Sequence, residues 1–189
     1  MSLNLHAVRE GGSVLDALQR AKLENTELML FQEVVRPRRG GPGPADDLAH
    51  ALGMQISFSP SFRLPNGDQE GLAILSRHPI VESRTIPLRR YNLLWKSRHR
   101  VAQSVILETP AGPLHVYNLH LDTRVNLKAR LAQMQPVVEE AAAQPGPVLV
   151  GGDLNTNPYR WVEHTLPLLI APDQGVGVLN LMNSLGYSS

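Results

Sequence analysis

Short apolar runs alternate along the chain with segments in which apolar residues recur at helical spacing. Repeated switching between these two periods is typical of folds in which helices cover β-sheets. The run Leu28-Met29-Leu30-Phe31 is apolar at every position, as expected of a strand that is covered on both faces. We therefore predict an α/β fold built in layers.

Turn residues and periodicity place the individual elements in the N-terminal part. We expect a short strand at the N-terminus, a helix capped by Ser13, the strand at Leu28–Phe31 and a second helix near Ala45–Leu52. Prolines, glycines and charged residues mark two loops, Val35–Pro44 and Pro60–Gln69.

The rest of the chain is predicted to hold most of the strands, at Leu72–Ser76, Val81–Ile86, Val101–Glu108, Leu114–Leu119 and Val148–Gly152. The turn residues Thr109–Gly112 indicate an antiparallel hairpin between the third and fourth of these strands. A long helix near Asn126–Ala143 precedes the fifth strand. The segment after it is interpreted as helix and loop, including the stretch around His164.

The bulk composition sets limits on the class of protein. A chain of 189 residues with 42% hydrophobic and 19% charged residues is expected to form one domain, residues 1–189. It has no apolar run near the roughly 20 residues that span a bilayer, and no secretory leader pattern. The absence of cysteine excludes disulfides and thiolate metal sites and suits a reducing compartment. The cytoplasm is therefore the default expectation, with secretion of a longer precursor as the open alternative. A net charge of +1 gives no general attraction to polyanions.

Three apolar strands end in groups of polar residues: Gln32-Glu33, Asn118-Leu119-His120-Leu121-Asp122 and Gly151-Gly152-Asp153-Leu154-Asn155. If these ends meet at one rim, they combine carboxylate, imidazole and carboxamide groups. Mg²⁺ takes one or two carboxylates and keeps several water ligands. A nearby carboxylate can orient the attacking water, and amide or imidazole donors can stabilise charge in the transition state. The set is therefore suited to phosphoryl chemistry.

Each of these residues also has a purely structural interpretation. Taken alone, Glu33 is compatible with a solvated carboxylate, His120 with a satisfied core histidine, and Asp153 with a turn. The strand before Asp153 could also be the acidic strand of a nucleotide hydrolase, but this interpretation fails because the sequence has no glycine-rich loop ending in Gly-Lys-Ser/Thr. Zinc is not expected, since no two histidines have the i, i+4 spacing of a helical zinc site.

Four segments carry a joint signal: Leu30-Phe31-Gln32-Glu33-Val34, then residues 71–80 (GLAILSRHPI), then Tyr117-Asn118-Leu119-His120-Leu121, then Gly152-Asp153-Leu154-Asn155. In this order they resemble the motifs of the endonuclease/exonuclease/phosphatase (deoxyribonuclease-I-like) superfamily, from about residue 3 onward. The resemblance implies a four-layer α/β sandwich, with two mostly antiparallel sheets packed face to face and helices outside.

The resemblance also implies a divalent metal site. It makes Glu33 the principal ligand of Mg²⁺, with Mn²⁺ as a substitute. Asn4, on the first predicted strand, would be the polar residue near the metal and the phosphate.

Four further residues receive catalytic roles from the same resemblance. Asp153 would orient or deprotonate the attacking water, and Asn155 would hold metal or phosphate oxygen. His120 would stabilise the phosphate or assist the leaving group. Glu70 occupies the place of a carboxylate that orients this histidine.

The sequence departs from the family pattern at its end. The pattern continues into further strands and a closing Ser-Asp-His motif, whereas Ser189 is the last residue, and His164 has no Ser-Asp before it. We therefore expect a C-terminally truncated domain that lacks the last strands and is impaired in turnover. An exposed sheet edge would favour a homodimer.

A basic stretch interrupted by two aromatic residues runs from the second of the predicted strands after Gly71 to the start of the third. Its members are Arg84, Arg89, Arg90, Tyr91, Trp95, Lys96, Arg98 and Arg100. Such a run is either a solvated loop or a surface that contacts phosphates and stacks on bases.

The function expected from the resemblance is Mg²⁺-dependent hydrolysis of a phosphoester, in nucleic acid or in a phospholipid-like diester. The alternative is a member of the same fold that binds a phosphate-containing ligand or a protein partner without catalysis. No stable insertion into a membrane is expected.

Overall fold

The computed structural model describes residues 1–8, 10–93, 98–169 and 174–188. Its strands are β1 Ser2–Asn4, β2 Leu28–Arg36, β3 Gln55–Arg63, β4 Gln69–Ser76, β5 Ile80–Pro87, β6 Val101–Thr109, β7 Gly112–His120, β8 Val148–Asp153, β9 Arg160–Val162 and β10 Leu166–Leu168. Its helices are α1 Gly11–Arg20, α2 Pro44–Leu52, α3 Leu127–Ala142 and α4 Gln174–Ser184. Across the described ranges, none of the helices is long and apolar enough to cross a membrane.

The described strands form two four-stranded sheets and one small hairpin. The first sheet has the order β1-β2-β4-β3, and the second has the order β5-β6-β7-β8. The pairs β1-β2 and β7-β8 are parallel, and all other neighbours within the two sheets are antiparallel. The prediction of two mostly antiparallel sheets is confirmed, as is the hairpin at Thr109–Gly112.

Three apolar clusters separate four layers. One packs α1 and α2 on the first sheet, a second packs α3 and α4 on the second sheet, and the third lies between the sheets. Alternation along β2 explains how one strand serves two layers, because Met29 and Phe31 belong to the helical side and Leu30 to the space between the sheets. The predicted four-layer sandwich is therefore the observed architecture.

A buried amide joins the two sheets close to the rim where β2 and β7 carry their polar residues. Asn118 donates hydrogen bonds to the carbonyl oxygens of Phe31 at 3.0 Å and Ala73 at 3.2 Å. It also accepts one from Gln32 Nε2 at 2.8 Å. Because these groups are buried, leaving any of them unpaired would be costly. The contacts therefore fix the relative position of the sheets.

The predicted start of α1 was wrong. The helix begins at Gly11 with Glu10 as its N-cap, and Ser13 lies inside the first turn. There the Ser13 hydroxyl donates to the Glu10 carbonyl oxygen at 2.9 Å, an arrangement that short polar side chains favour near helix starts.

The predicted loop at Pro60–Gln69 was also too long. The strand β3 runs through Pro60 to Arg63, and β4 already begins at Gln69. Proline is tolerated there because β3 is the outer strand of its sheet and a register shift follows Pro60. The segment around His164 is not helical, since it forms the turn between β9 and β10.

Candidate functional site

The parallel pair β7-β8 brings an imidazole and a carboxylate to one edge of the second sheet. His120 and Asp153 are paired in register at the ends of these strands. His120 Nε2 lies 3.7 Å from Asp153 Oδ2 and 3.9 Å from Glu33 Oε1 of the first sheet. The structure therefore gathers Glu33, His120 and Asp153, which the sequence analysis selected, around one point.

Asn4 of β1 connects the first sheet to Asp153 of the second sheet. Its Nδ2 donates to Asp153 Oδ2 at 3.0 Å, and its Oδ1 accepts from the backbone N–H of His6 at 2.9 Å. The first strand thus contributes a polar residue beside Asp153, and the role of Asn4 toward the metal and the phosphate stays a prediction.

Glu33 lies within β2 and not at its end. The pairing of β2 with β4 shifts register between Phe31 and Val34, and Glu33 has a φ of 54°. A β-bulge of this kind turns a side chain away from the regular alternation. The backbone carbonyl of Glu33 accepts from Ala7 N–H at 3.1 Å, so the bulge is supported by the chain that follows β1.

Positive φ angles gather around the same point, at His6, Ala7, Glu33, Gly152 and Asn155. Residues other than glycine adopt this region at a cost of about 1–3 kcal/mol each. Such strain persists where the surrounding structure holds the backbone in place, and it concentrates at functional sites.

Asn155 stabilises the loop that carries Asp153. Its backbone N–H donates to Asp153 Oδ1 at 3.0 Å, and its Nδ2 donates to the Leu121 carbonyl oxygen at 2.8 Å. Asn155 therefore lies beside the site and links the chain segments that follow β7 and β8.

His120 is almost fully buried and lies against a cation. Arg100 Nη1 is 3.1 Å from His120 Nδ1. Burial, followed by the positive charge of Arg100, lowers the pKa of His120 to about 3. The imidazole is therefore neutral at neutral pH.

Glu70 lies near the start of β4 in the first sheet, where it is buried beside Arg98. Its Oε1 accepts from Arg98 Nη1 at 2.9 Å. Burial raises the pKa of Glu70, and the charge of Arg98 acts in the opposite direction. The role toward His120 that the resemblance implies for Glu70 stays a prediction, and the observed hydrogen bond to His120 Nδ1 comes from Arg100.

The described members of the basic stretch do not form one surface. Arg84 pairs with Glu140 of α3 at 2.5 Å, whereas Arg98 and Arg100 face the candidate site. Arg89 lies over the ring of Tyr91 at 5.5 Å. Trp95 and Lys96 lie outside the described residues.

Sequence reasoning missed the pairing of Arg100 with Asp122. Arg100 Nε donates to Asp122 Oδ1 at 3.1 Å, and their side chains are 9% and 1% exposed. One signal was available in the sequence, because Asp122 follows His120 at the two-residue spacing of a strand face.

The donor set fits a hard divalent cation. Within the described ranges, no group of three or more His, Asp and Glu side chains is arranged to hold a metal ion. Mg²⁺ does not require such a group, because it takes one or two carboxylates and keeps water as its other ligands. Glu33 and Asp153 supply two partly exposed carboxylates, and Asn4 supplies an amide. These are the oxygen donors that Mg²⁺ and Mn²⁺ prefer.

Two facing sheets with carboxylates, an imidazole and amides at their shared rim define a phosphoesterase fold of the α/β sandwich class. The chain belongs to the endonuclease/exonuclease/phosphatase family, whose model matches residues 1–167. Members of this family are phosphoester hydrolases.

Solved structures show the same fold. An endonuclease/exonuclease/phosphatase family protein from Leptotrichia buccalis aligns over 82% of this chain and 66% of its own, with 18% identity and a TM-score of 0.64. The human Nocturnin catalytic domain with bound sulfate aligns over 78% and 57%, with 22% identity and a TM-score of 0.58. D. rerio TDP2 in complex with a single-strand DNA product aligns over 78% and 54%, with 15% identity and a TM-score of 0.53. The chain thus spans about half to two thirds of the length of these structures. No curated protein matches it at a significant level.

Proposed function

We propose that this site hydrolyses phosphodiester bonds with the help of Mg²⁺. The observation that carries the proposal is the approach of His120 Nε2 to within 4 Å of both the Glu33 and the Asp153 carboxylates. An imidazole between two carboxylates supplies hydrogen-bond donor and acceptor groups at one point, as water-dependent phosphoryl transfer requires.

Glu33 would hold the metal ion, with Asn4 and Asp153 beside it. When bound, the ion supplies positive charge that activates water and offsets the charge of the phosphate. The hydrogen bond from Asn4 Nδ2 keeps the Asp153 side chain in one orientation. In that orientation Asp153 would accept the proton of the attacking water, and the neutral His120 would donate to a phosphate oxygen.

The substrate class follows from the chemistry of the site and its surroundings. Arg98 donates to Glu70 Oε1 at 2.9 Å and packs over the ring of Phe62 at 4.7 Å, which holds a cation beside the site. Such a cation suits the phosphate of a nucleic acid, and D. rerio TDP2, which has the same fold, was solved in complex with a single-strand DNA product. A phospholipid-like diester is the second substrate class, and the two can be compared directly in an assay.

Self-association through β8, an outer strand of the second sheet, also remains a proposal.

Hydrolysis of bis(p-nitrophenyl) phosphate tests the proposal. We expect activity that depends on added Mg²⁺ or Mn²⁺ and falls at least about 10³-fold in Asp153→Ala, because the group that orients the water is lost. The matched control is Asp16→Ala, which removes an exposed carboxylate of α1 and should leave the rate unchanged.

Hydrolysis that does not require a metal ion, or that survives in Asp153→Ala, would contradict the proposal. Binding of Mg²⁺ and phosphate without turnover in the wild type would instead support a non-catalytic ligand-binding protein.

A further inference from the structure

We propose that Arg100 is a positioning residue that holds His120 in the tautomer with its proton on Nε2, so that the imidazole presents an N–H donor to the substrate. The inference deepens the proposed function and rests on it for the identity of the acceptor, a phosphate oxygen. The tautomer itself follows from the contacts of the protein alone.

The contact between Arg100 and His120 fixes the roles of the two ring nitrogens. A guanidinium has only donors, so Arg100 Nη1 at 3.1 Å from His120 Nδ1 requires that Nδ1 accept the hydrogen bond. A proton on Nδ1 would leave two N–H groups pointing at each other. In a neutral imidazole the proton then resides on Nε2.

The surroundings of Nε2 agree with this assignment. Two carboxylate oxygens lie close to Nε2, Asp153 Oδ2 at 3.7 Å and Glu33 Oε1 at 3.9 Å, and both are hydrogen-bond acceptors. An Nε2–H therefore points toward the space between two carboxylates, whereas an unprotonated Nε2 would face them with its lone pair.

Arg100 is itself held rigidly, as a positioning residue must be. Its Nε donates to Asp122 Oδ1 at 3.1 Å. Gln133 fixes Asp122 from the other side, because its Nε2 donates to Asp122 Oδ2 at 2.9 Å and its Oε1 accepts from the Asp122 backbone N–H at 3.0 Å. The planar guanidinium thus spans Asp122 and His120 in one geometry, which the single ammonium of lysine cannot reproduce.

The contacts of the two ring nitrogens give His120 and Asp153 different roles. A histidine whose Nδ1 is occupied by Arg100 and whose Nε2 carries a proton cannot accept a proton from water. Activation of the water then falls to Asp153, and His120 contributes a preorganised donor to the phosphate.

Long-range ¹H–¹⁵N correlation spectra of the full chain, labelled with ¹⁵N-histidine and recorded near neutral pH, test the inference. The His120 ring should show a protonated Nε2 and an unprotonated Nδ1. A ring protonated on Nδ1, or on both nitrogens, would overturn the inference.

A double variant and a control variant separate the positioning of His120 from the effect of a nearby positive charge. In Arg100→Met with Asp122→Asn the guanidinium is lost without leaving a buried unpaired carboxylate. We expect the His120 tautomers to mix and kcat for bis(p-nitrophenyl) phosphate to fall about 10- to 100-fold, with KM changed less than about twofold. The control Arg98→Gln removes a neighbouring positive charge but keeps a donor for Glu70, and it should keep the Nε2–H tautomer.

The inference is wrong if the double variant keeps the Nε2–H tautomer or if kcat is unchanged while the tautomer is lost. Should the double variant fail to fold by circular dichroism, Arg100→Lys replaces it, because lysine keeps the charge but cannot span Asp122 and His120, and the same mixing of His120 tautomers is expected. Absence of hydrolysis by the wild type would refute the proposed function, while the spectrum would still report separately on the role of Arg100.

Discussion

Replacing Gly152 with alanine is expected to destabilise the protein by about 3 kcal/mol or more, which corresponds to a fall in Tm of about 10 °C for a domain of this size. Gly152 has a φ of 133°, a conformation that L side chains rarely adopt. A Cβ at this position would overlap with the carbonyl oxygen of Leu119 and would lie 2.6 Å from its nitrogen. Both atoms belong to the backbone of β7, so neither can move without disturbing the strand.

The same substitution should reach the site, because Gly152 and Leu119 are paired one position before Asp153 and His120. Pushing β8 away from β7 would lengthen the 3.7 Å contact between His120 and Asp153. Activity should therefore fall further than the loss of folded protein accounts for.

Thermal unfolding followed by circular dichroism gives the measurement, and Gly112→Ala is the matched control. Gly112 also has a positive φ, at 109°, but a Cβ there meets nothing within 4 Å. We expect the control to lose only the cost of backbone strain, about 1–2 kcal/mol. Equal losses in the two variants would show that β7 and β8 are not packed as closely as described.

Exchanging Glu33 for glutamine is expected to lower the Mg²⁺-dependent rate about 10²- to 10³-fold while leaving the protein as stable as the wild type or more stable. Glutamine keeps the shape of the side chain and can occupy the same β-bulge. The substitution removes the negative charge with which, in the proposed function, the Glu33 carboxylate binds the metal ion. It also removes repulsion with Asp153, since both carboxylates face His120 Nε2.

The two effects run in opposite directions, which distinguishes a functional carboxylate from a structural one. Rates at increasing Mg²⁺ and unfolding in urea without metal give the two measurements. Glu108→Gln is the control, because Glu108 is an exposed carboxylate of β6. A large loss of stability with an unchanged rate would assign Glu33 to the fold and not to the site.

The sequence predicted those parts of the site that depend on local pattern. His120 and Asp153 could be selected because each follows an apolar run, and the two runs proved to be neighbouring parallel strands. Pairing between sheets has no local signal, so the 3.0 Å hydrogen bond from Asn4 to Asp153 could be placed only through a resemblance.

Features that depend on distant partners were not predictable. The bulge at Glu33 arises from the pairing of β2 with β4, far along the chain. Arg100 looked like one of several solvated cations, because its burial depends on Asp122, 22 residues later. The strand β3 was partly read as a loop because Pro60 weakens the strand pattern, and only its outer position in the sheet allows the proline.

Binding of Mn²⁺ to the ¹⁵N-labelled full chain, followed by paramagnetic line broadening, tests most directly whether Glu33, His120 and Asp153 form one site for a divalent ion. We predict that low Mn²⁺ selectively broadens the signals of these three residues and of Asn4, that excess Mg²⁺ restores them, and that Glu33→Gln weakens the effect. Broadening spread over exposed carboxylates such as Glu108, or unchanged in Glu33→Gln, would contradict the account.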